Sequence, residues 1–145
     1  MTWRDRVLLS TALDLPIEQR HALLEVLVAV AAADGAIVAE EAACVESIMG
    51  AVMLHPEARA ALRNQLTAPP LWSASLAEID RQHARVVVYL AAYVAAVDGA
   101  YDEAEVRLLR QMCEALDIKT NVLKDAFAWV ESGLNWMASL HEDGD

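Results

Sequence analysis

Two acidic turns carry the residues of this sequence that are best suited to chemistry. The segments AAADGAIVAEEA and AAVDGAYDEAEV share an Asp-Gly step, and in each a glutamate follows the aspartate by seven residues. The four carboxylates are Asp34, Glu41, Asp98 and Glu105. Carboxylate oxygens are the ligands that hard divalent cations prefer, so the repeated pattern predicts either a cation site or two turns shaped by acidic side chains.

The pattern matches only the second half of an EF-hand loop. Asp34 and Glu41 would stand at loop positions five and twelve, with the glycine and the aliphatic residue correctly placed between them. Positions one and three would then fall on Val30 and Ala32, and the second copy has the same two residue types there. Neither valine nor alanine has a side-chain oxygen, so each loop supplies only two carboxylate side chains. Because a hard cation takes about six oxygen ligands, an EF-hand is excluded.

Both glutamates also have a structural interpretation. Asp102 is a suitable N-cap for the helix after the second turn, and this places Glu105 at the third helical position. A carboxylate at that position can bond back to the amide of the cap residue in a capping box. Glu41 has the same position in the first copy, although Val38 offers no side-chain acceptor.

The two aspartates are harder to explain by local structure. Asp34 and Asp98 would lie in the last turn of a helix, where the helix dipole disfavours a carboxylate. The compensating group could be the loop amides of an Asx-type turn, a cation shared with the glutamate, or a basic partner.

Charge and hydropathy limit the partners. The formal net charge of −11 disfavours nucleic acid and anionic membranes, and leaves divalent cations and basic proteins open. The longest charge-free apolar run, residues 86–97, is shorter than the ~18–20 residues that span a bilayer. No signal peptide is visible, and Cys44 and Cys113 have no metal-type spacing. We therefore expect a cytoplasmic protein without membrane insertion.

No motif of a common enzyme class is present. The sequence has no GxSxG, Walker or GxGxxG motif, and its histidines have no HxxxH or HExxH spacing. The serines lack a placed base. We therefore expect neither catalysis nor an organic cofactor.

Helical spacing of apolar residues extends along the whole chain, and hydrophobic residues make up 57% of it. The segment TAPPLWS, residues 67–73, is the clearest break. We predict an all-α bundle of about seven helices, over approximately residues 3–13, 15–34, 39–54, 57–66, 75–98, 103–116 and 120–140.

The two sides of the break form a tandem helix-hairpin repeat. Identical residues recur at an offset of 64, the distance from Asp34 to Asp98. The repeats cover about residues 15–66 and 75–133, and each alone would be marginally stable. We therefore expect a single domain, in which the second and fifth helices, rich in alanine, pack together near a pseudo-twofold axis.

The two acidic segments, each with an apolar helix before and an amphipathic helix after, resemble the TerB-like family of tellurite-resistance-associated proteins. The resemblance covers roughly residues 19–133. It implies an all-helical fold with two similar halves and a metal-stress or chaperone-associated role. It also implies a divalent-cation site at the four carboxylates Asp34, Glu41, Asp98 and Glu105.

A metal-free interaction or adaptor domain is the alternative function. Its protein partner would bind the acidic surface or an apolar stripe on the seventh helix. That stripe consists of Val122, Ala126, Trp129, Gly133, Trp136 and Leu140. Such stripes usually face a core, whereas exposed tryptophan is enriched at protein interfaces.

Overall fold

The computed structural model of the chain describes residues 11–33, 35, 37–69, 71–97 and 102–143, apart from the side chains of Thr120 and residues 133–143. Within these ranges the protein is helical and contains no strand, which confirms the predicted all-α class. Helical residues 11–13 come first. The α-helices that follow are α1 (Ile17–Ala31), α2 (Ala39–Ala51), α3 (Pro56–Gln65), α4 (Trp72–Ala77), α5 (Ala84–Ala96), α6 (Glu103–Ala115) and α7 (Thr120–Asp143), with a 3-10 turn at Arg81–His83.

The repeat seen in the sequence recurs in the backbone. Helices α2 and α6 both have 13 residues and begin 64 positions apart, and α3 and α7 also begin 64 positions apart. Two residues after the end of α2 and of α6 the chain has a residue with positive φ, Met53 at 58° and Asp117 at 55°. The next amide then bonds the carbonyl five residues earlier, at 3.2 Å after Met53 and 2.9 Å after Asp117, as in a Schellman motif.

Replacing Met53 by glycine is expected to raise the free energy of unfolding by about 1 kcal/mol, because a β-carbon in the left-handed region costs roughly that much. The side chain is 71% exposed, so little packing is lost. Urea unfolding measures the change. Met53→Ala retains the β-carbon and serves as the control; an equal gain in that variant would contradict backbone strain as the cause.

Helices α1 and α5 form the centre of the bundle and contact each other, as predicted. Nine of the 15 residues of α1 and ten of the 13 residues of α5 are buried. Helix α1 also contacts α6, and α5 contacts α2. Because each central helix touches the second helix of the other half, residues from both halves share one apolar cluster.

The helix predicted over residues 75–98 is wrong in its first part. The chain leaves the helical conformation between α4 and the 3-10 turn, where Asp80 has an extended ψ of 140°. The Gln19 side chain donates to the Asp80 carboxylate and accepts from the Asp80 amide, both at 3.1 Å. These bonds join residues 61 positions apart, so helical spacing in the local sequence does not reveal the break.

Both cysteines, Cys44 and Cys113, are buried and neither forms a disulfide; a buried thiol packs as a small apolar side chain. Burial raises the pKa of the Cys113 thiol, which keeps the reactive thiolate scarce. In the part of the chain that the structure describes, no helix is long and apolar enough to cross a membrane.

Candidate functional site

The two glutamates of the acidic turns occupy equivalent, buried positions. Glu41 is the third residue of α2 and Glu105 is the third residue of α6, and each is only 2% exposed. The acidic neighbours in the same first turns, Glu40 and Glu103, are exposed. In the first turn of each helix, one glutamate is therefore buried against the protein and the other is exposed to solvent.

The two helix starts are capped differently. The Asp102 carboxylate accepts a hydrogen bond from the Ala104 amide at 2.8 Å, so Asp102 is the N-cap of α6, as predicted. Val38 is the N-cap residue of α2 and provides no side-chain hydrogen bond. Apart from this difference, both glutamates stand at the third helical position, where the positive end of the helix dipole favours a carboxylate.

Removing the side-chain cap of α6 and introducing one at α2 are expected to change the stability of the protein in opposite directions. Asp102→Ala should lower the free energy of unfolding by about 1 kcal/mol, because an amide of the first turn loses its acceptor. Val38→Asn should raise it by a similar amount, because the side chain supplies the missing acceptor without adding charge. Thermal unfolding checks both variants. A Val38→Ala control that gained as much as Val38→Asn would contradict the capping explanation.

The cation site predicted at the acidic turns includes residues inside and outside the described ranges. Asp34 and Asp98 lie outside the described residues, and the predictions made for them remain predictions. In the described ranges, no three or more His, Cys, Asp or Glu side chains are grouped closely enough to hold a metal ion. The donors of the turns are all oxygen, which suits Mg²⁺, Ca²⁺ or Mn²⁺ better than softer metals.

Glu25 makes polar contacts between helices that the sequence pattern does not predict. Its carboxylate, on α1, accepts from the Gln65 amide group at 3.2 Å and from the Ser75 hydroxyl at 3.4 Å. Ser75 is buried at 5% exposure. These bonds hold α3 and α4 against α1, so Glu25 has a structural role that only tertiary contacts reveal.

A second ionic cluster lies between α2 and α3. Arg63 donates to both oxygens of Glu46, and Arg59 lies 3.6 Å from the same carboxylate. The hydrogen bond from Arg63 is the main cause that lowers the pKa of Glu46 below its usual range, and the charge of Arg59 adds to it. Two guanidinium groups of α3 thus share one carboxylate of α2, and this cluster joins the two helices in the first half of the chain.

The depressed pKa of Glu46 predicts a small loss of stability in acid. A carboxyl with a lower pKa in the folded state stabilises above its unfolded pKa, and the contribution disappears as pH falls through the folded pKa. Because the carboxylate is partly exposed, we expect no more than about 1 kcal/mol. Between about pH 7 and about pH 3, the free energy of unfolding should decrease less in Glu46→Gln than in wild type, as measured by unfolding curves at each pH. Glu57→Gln is the control, and an equal change there would contradict the prediction.

The comparisons with known proteins identify the family. The model of the DUF533 family, which is described as "Protein of unknown function", matches residues 12–126. The chain belongs to the DUF533 family. The match includes both acidic turns and both buried glutamates, and it ends within α7. No curated protein and no solved structure matches this DUF533 chain.

The seventh helix of this DUF533 chain packs its first half against the core. Leu123, Ala126 and Val130 are buried. Trp129 is half-buried, with its ring centroid 5.6 Å from that of Tyr89 and 6.4 Å from that of Tyr93. The predicted apolar stripe is thus a packing face as far as Trp129. Its remaining side chains, Gly133, Trp136 and Leu140, lie outside the described ones.

Proposed function

We propose that this DUF533 chain is a non-catalytic, TerB-like helical module that binds a divalent cation at its acidic turns. The residues that would hold the ion are Asp34 and Glu41 in the first half and Asp98 and Glu105 in the second. The resemblance to TerB-like proteins adds the cellular context of metal stress, of the kind linked to tellurite resistance.

The observation that carries the proposal is the equal burial of Glu41 and Glu105. Both are 2% exposed, although surface glutamate would serve equally well for solubility. Burying a carboxylate is costly unless hydrogen bonds or opposite charge compensate it. The same burial occurs at both copies of the repeat, and in the sequence each of these glutamates follows the aspartate of its turn by seven residues.

A cation at these turns would act on the geometry of the hairpins. It would supply a positive charge shared by carboxylates at the end of one helix and the start of the next. Glu41 is fixed on α2 and Glu105 on α6, while each aspartate follows a central helix in the sequence. Occupancy would therefore hold α2 to α1 and α6 to α5, and loss of the ion would release both.

Thermal unfolding of chelator-stripped protein tests the proposal, with calcium, magnesium, manganese and zinc added in turn. An ion that binds the native state should stabilise it by about 2.7 kcal/mol at 100 times its dissociation constant. The rise should disappear in Asp34→Asn/Asp98→Asn and in Glu41→Gln/Glu105→Gln. Glu40→Gln/Glu103→Gln is the matched control, because it removes the same charge from the same helix turns at exposed positions.

Two outcomes would overturn the proposal. One is that no cation raises the unfolding midpoint of wild type. The other is that the exposed Glu40/Glu103 variant loses the effect as completely as the buried pair, since general charge would then explain it. A metal-free adaptor domain that binds a protein partner would be the remaining function.

A further inference from the structure

A groove between α6 and α7 combines an apolar floor with a basic rim. It has a volume of about 440 Å³. Its floor consists of buried Leu123 and half-buried Val106 and Phe127. Its rim consists of exposed Arg110, Asn121 and Lys124.

The repeat provides an internal comparison for this groove. At the offset of 64, Arg110 on α6 takes the position that Glu46 has on α2. The arginines that hold Glu46 in the first half are replaced by Leu123 and Phe127 in the second. The first half thus encloses a carboxylate between two arginines, whereas the second half presents an arginine beside apolar side chains.

The cations of the rim have no acidic partner within the described part of the chain. Neither Arg110 nor Lys124 is among the described ion pairs, whereas Arg107, Arg81, Arg59 and Arg63 each contact a carboxylate. The two rim cations, Arg110 and Lys124, are therefore complementary to a carboxylate from outside the chain.

The shape of the groove favours a peptide over a small molecule. A small ligand usually buries 70–90% of its surface in its pocket, but half of the lining residues here are exposed. Shallow grooves between helices are typical sites for amphipathic helices, which place apolar side chains on the floor and charges along the rim. Nucleic acid is disfavoured because it would bring many phosphates toward a chain of net charge −11.

We propose that the groove between α6 and α7 binds an acidic amphipathic peptide segment of a partner protein. Apolar side chains of the segment occupy the floor formed by Val106, Leu123 and Phe127. Its aspartate or glutamate side chains pair with Arg110 and Lys124, and Asn121 adds a hydrogen bond at the rim. The negative charge of the rest of the chain is screened beyond about 8–10 Å at physiological salt, so it does not prevent this local pairing. The site is independent of the cation proposed for the turns.

Fluorescence anisotropy tests the inference with the full chain in chelator, so that cation binding cannot contribute. The probe is a labelled amphipathic peptide of about fourteen residues built from leucine and glutamate. Two matched peptides replace either every glutamate by lysine or every leucine by serine. Wild-type protein should bind the leucine–glutamate peptide and not the serine–glutamate peptide, and the binding should weaken as salt is added. The leucine–lysine peptide is attracted to other surfaces of a chain of net charge −11, so reversing the charges of Arg110 and Lys124 should not weaken its binding.

Charge-reversal variants locate the site. Arg110→Glu/Lys124→Glu should weaken binding at least about tenfold, because two attractive pairs become repulsive. Arg107→Glu/Lys119→Glu makes the same change of charge in the same segment but outside the groove, and should weaken binding less than about threefold. Circular dichroism melting confirms that each variant is folded. If charge reversal unfolds the protein, Arg110→Gln/Lys124→Gln replaces it, with a smaller expected loss.

Several results would overturn the proposal. Equal weakening by both charge-reversed pairs would show general electrostatics in place of a groove. Binding of the serine–glutamate peptide as tightly as the leucine–glutamate peptide would exclude the apolar floor. Absence of binding to the acidic amphipathic peptide would also overturn it. So would a dimer, seen by light scattering, that Arg110→Glu/Lys124→Glu dissociates without any effect on peptide binding, because the groove would then hold a second copy.

Discussion

Replacing Leu27 by alanine is expected to lower the free energy of unfolding by about 2–5 kcal/mol. Leu27 lies on α1 and is fully buried. Helix α1 contacts α2, α3, α4, α5 and α6, so a cavity at Leu27 would lie among elements of both halves. The loss combines the transfer free energy of the removed atoms with the cost of the cavity. Because a domain of this size is stable by only about 5–15 kcal/mol, the variant should be close to the limit of folding.

Leu71→Ala is the matched control for this prediction. Leu71 is 70% exposed, so the same truncation should change the free energy of unfolding by less than about 0.5 kcal/mol. Urea unfolding of wild type and both variants measures the difference. Equal effects at the two positions, or a loss below about 1 kcal/mol for Leu27→Ala, would contradict the central place of α1 in the core.

Replacing Arg20 by methionine is expected to cost about 2–3 kcal/mol, because hydrogen bonds from a charged donor contribute more than neutral ones. The Arg20 guanidinium donates to the carbonyl of Leu15 at 2.8 Å and to the carbonyl of Val52 at 3.0 Å. Val52 is the C-cap residue of α2, where a positive charge also complements the helix dipole. One side chain thus connects the start of α1 with the end of α2, and methionine keeps its apolar length while removing both bonds.

Arg107→Met tests whether the loss of any arginine has this effect. Arg107 pairs with Glu103 on the exposed face of α6 at 3.5 Å, and such a pair contributes only about 0.2–0.5 kcal/mol. Arg20→Lys should lie between wild type and Arg20→Met, since lysine retains the charge but not the two-pronged geometry. Thermal and urea unfolding give the comparison. An Arg20→Met loss no larger than that of Arg107→Met would contradict the role of the two carbonyl bonds.

The helical class, the repeat and the starts of α2 and α6 could all be predicted from residue order. Asp102 has a short polar side chain ahead of an amphipathic run, and capping acts within three residues of the helix start. The apolar character of α1 and α5 indicates burial because helices without a polar face cannot remain in solvent. Capping and helical periodicity depend on residues a few positions apart, so they can be recognised from the spacing of polar and apolar residues. The repeat can be recognised because the same pattern recurs at an offset of 64.

The break before α5, the burial of the two glutamates and the groove beside Arg110 required the folded chain. At the break, the Gln19 side chain bonds to Asp80 across 61 residues. Spacing places Glu41 and Glu105 at the third position of a helix, but whether that position faces solvent or protein depends on how the helix rotates against its neighbours. The groove forms because Leu123 and Phe127 come to lie beside Arg110 when α7 packs on α6. These features depend on contacts between distant segments, whose mutual orientation is decided by the packing of the whole core.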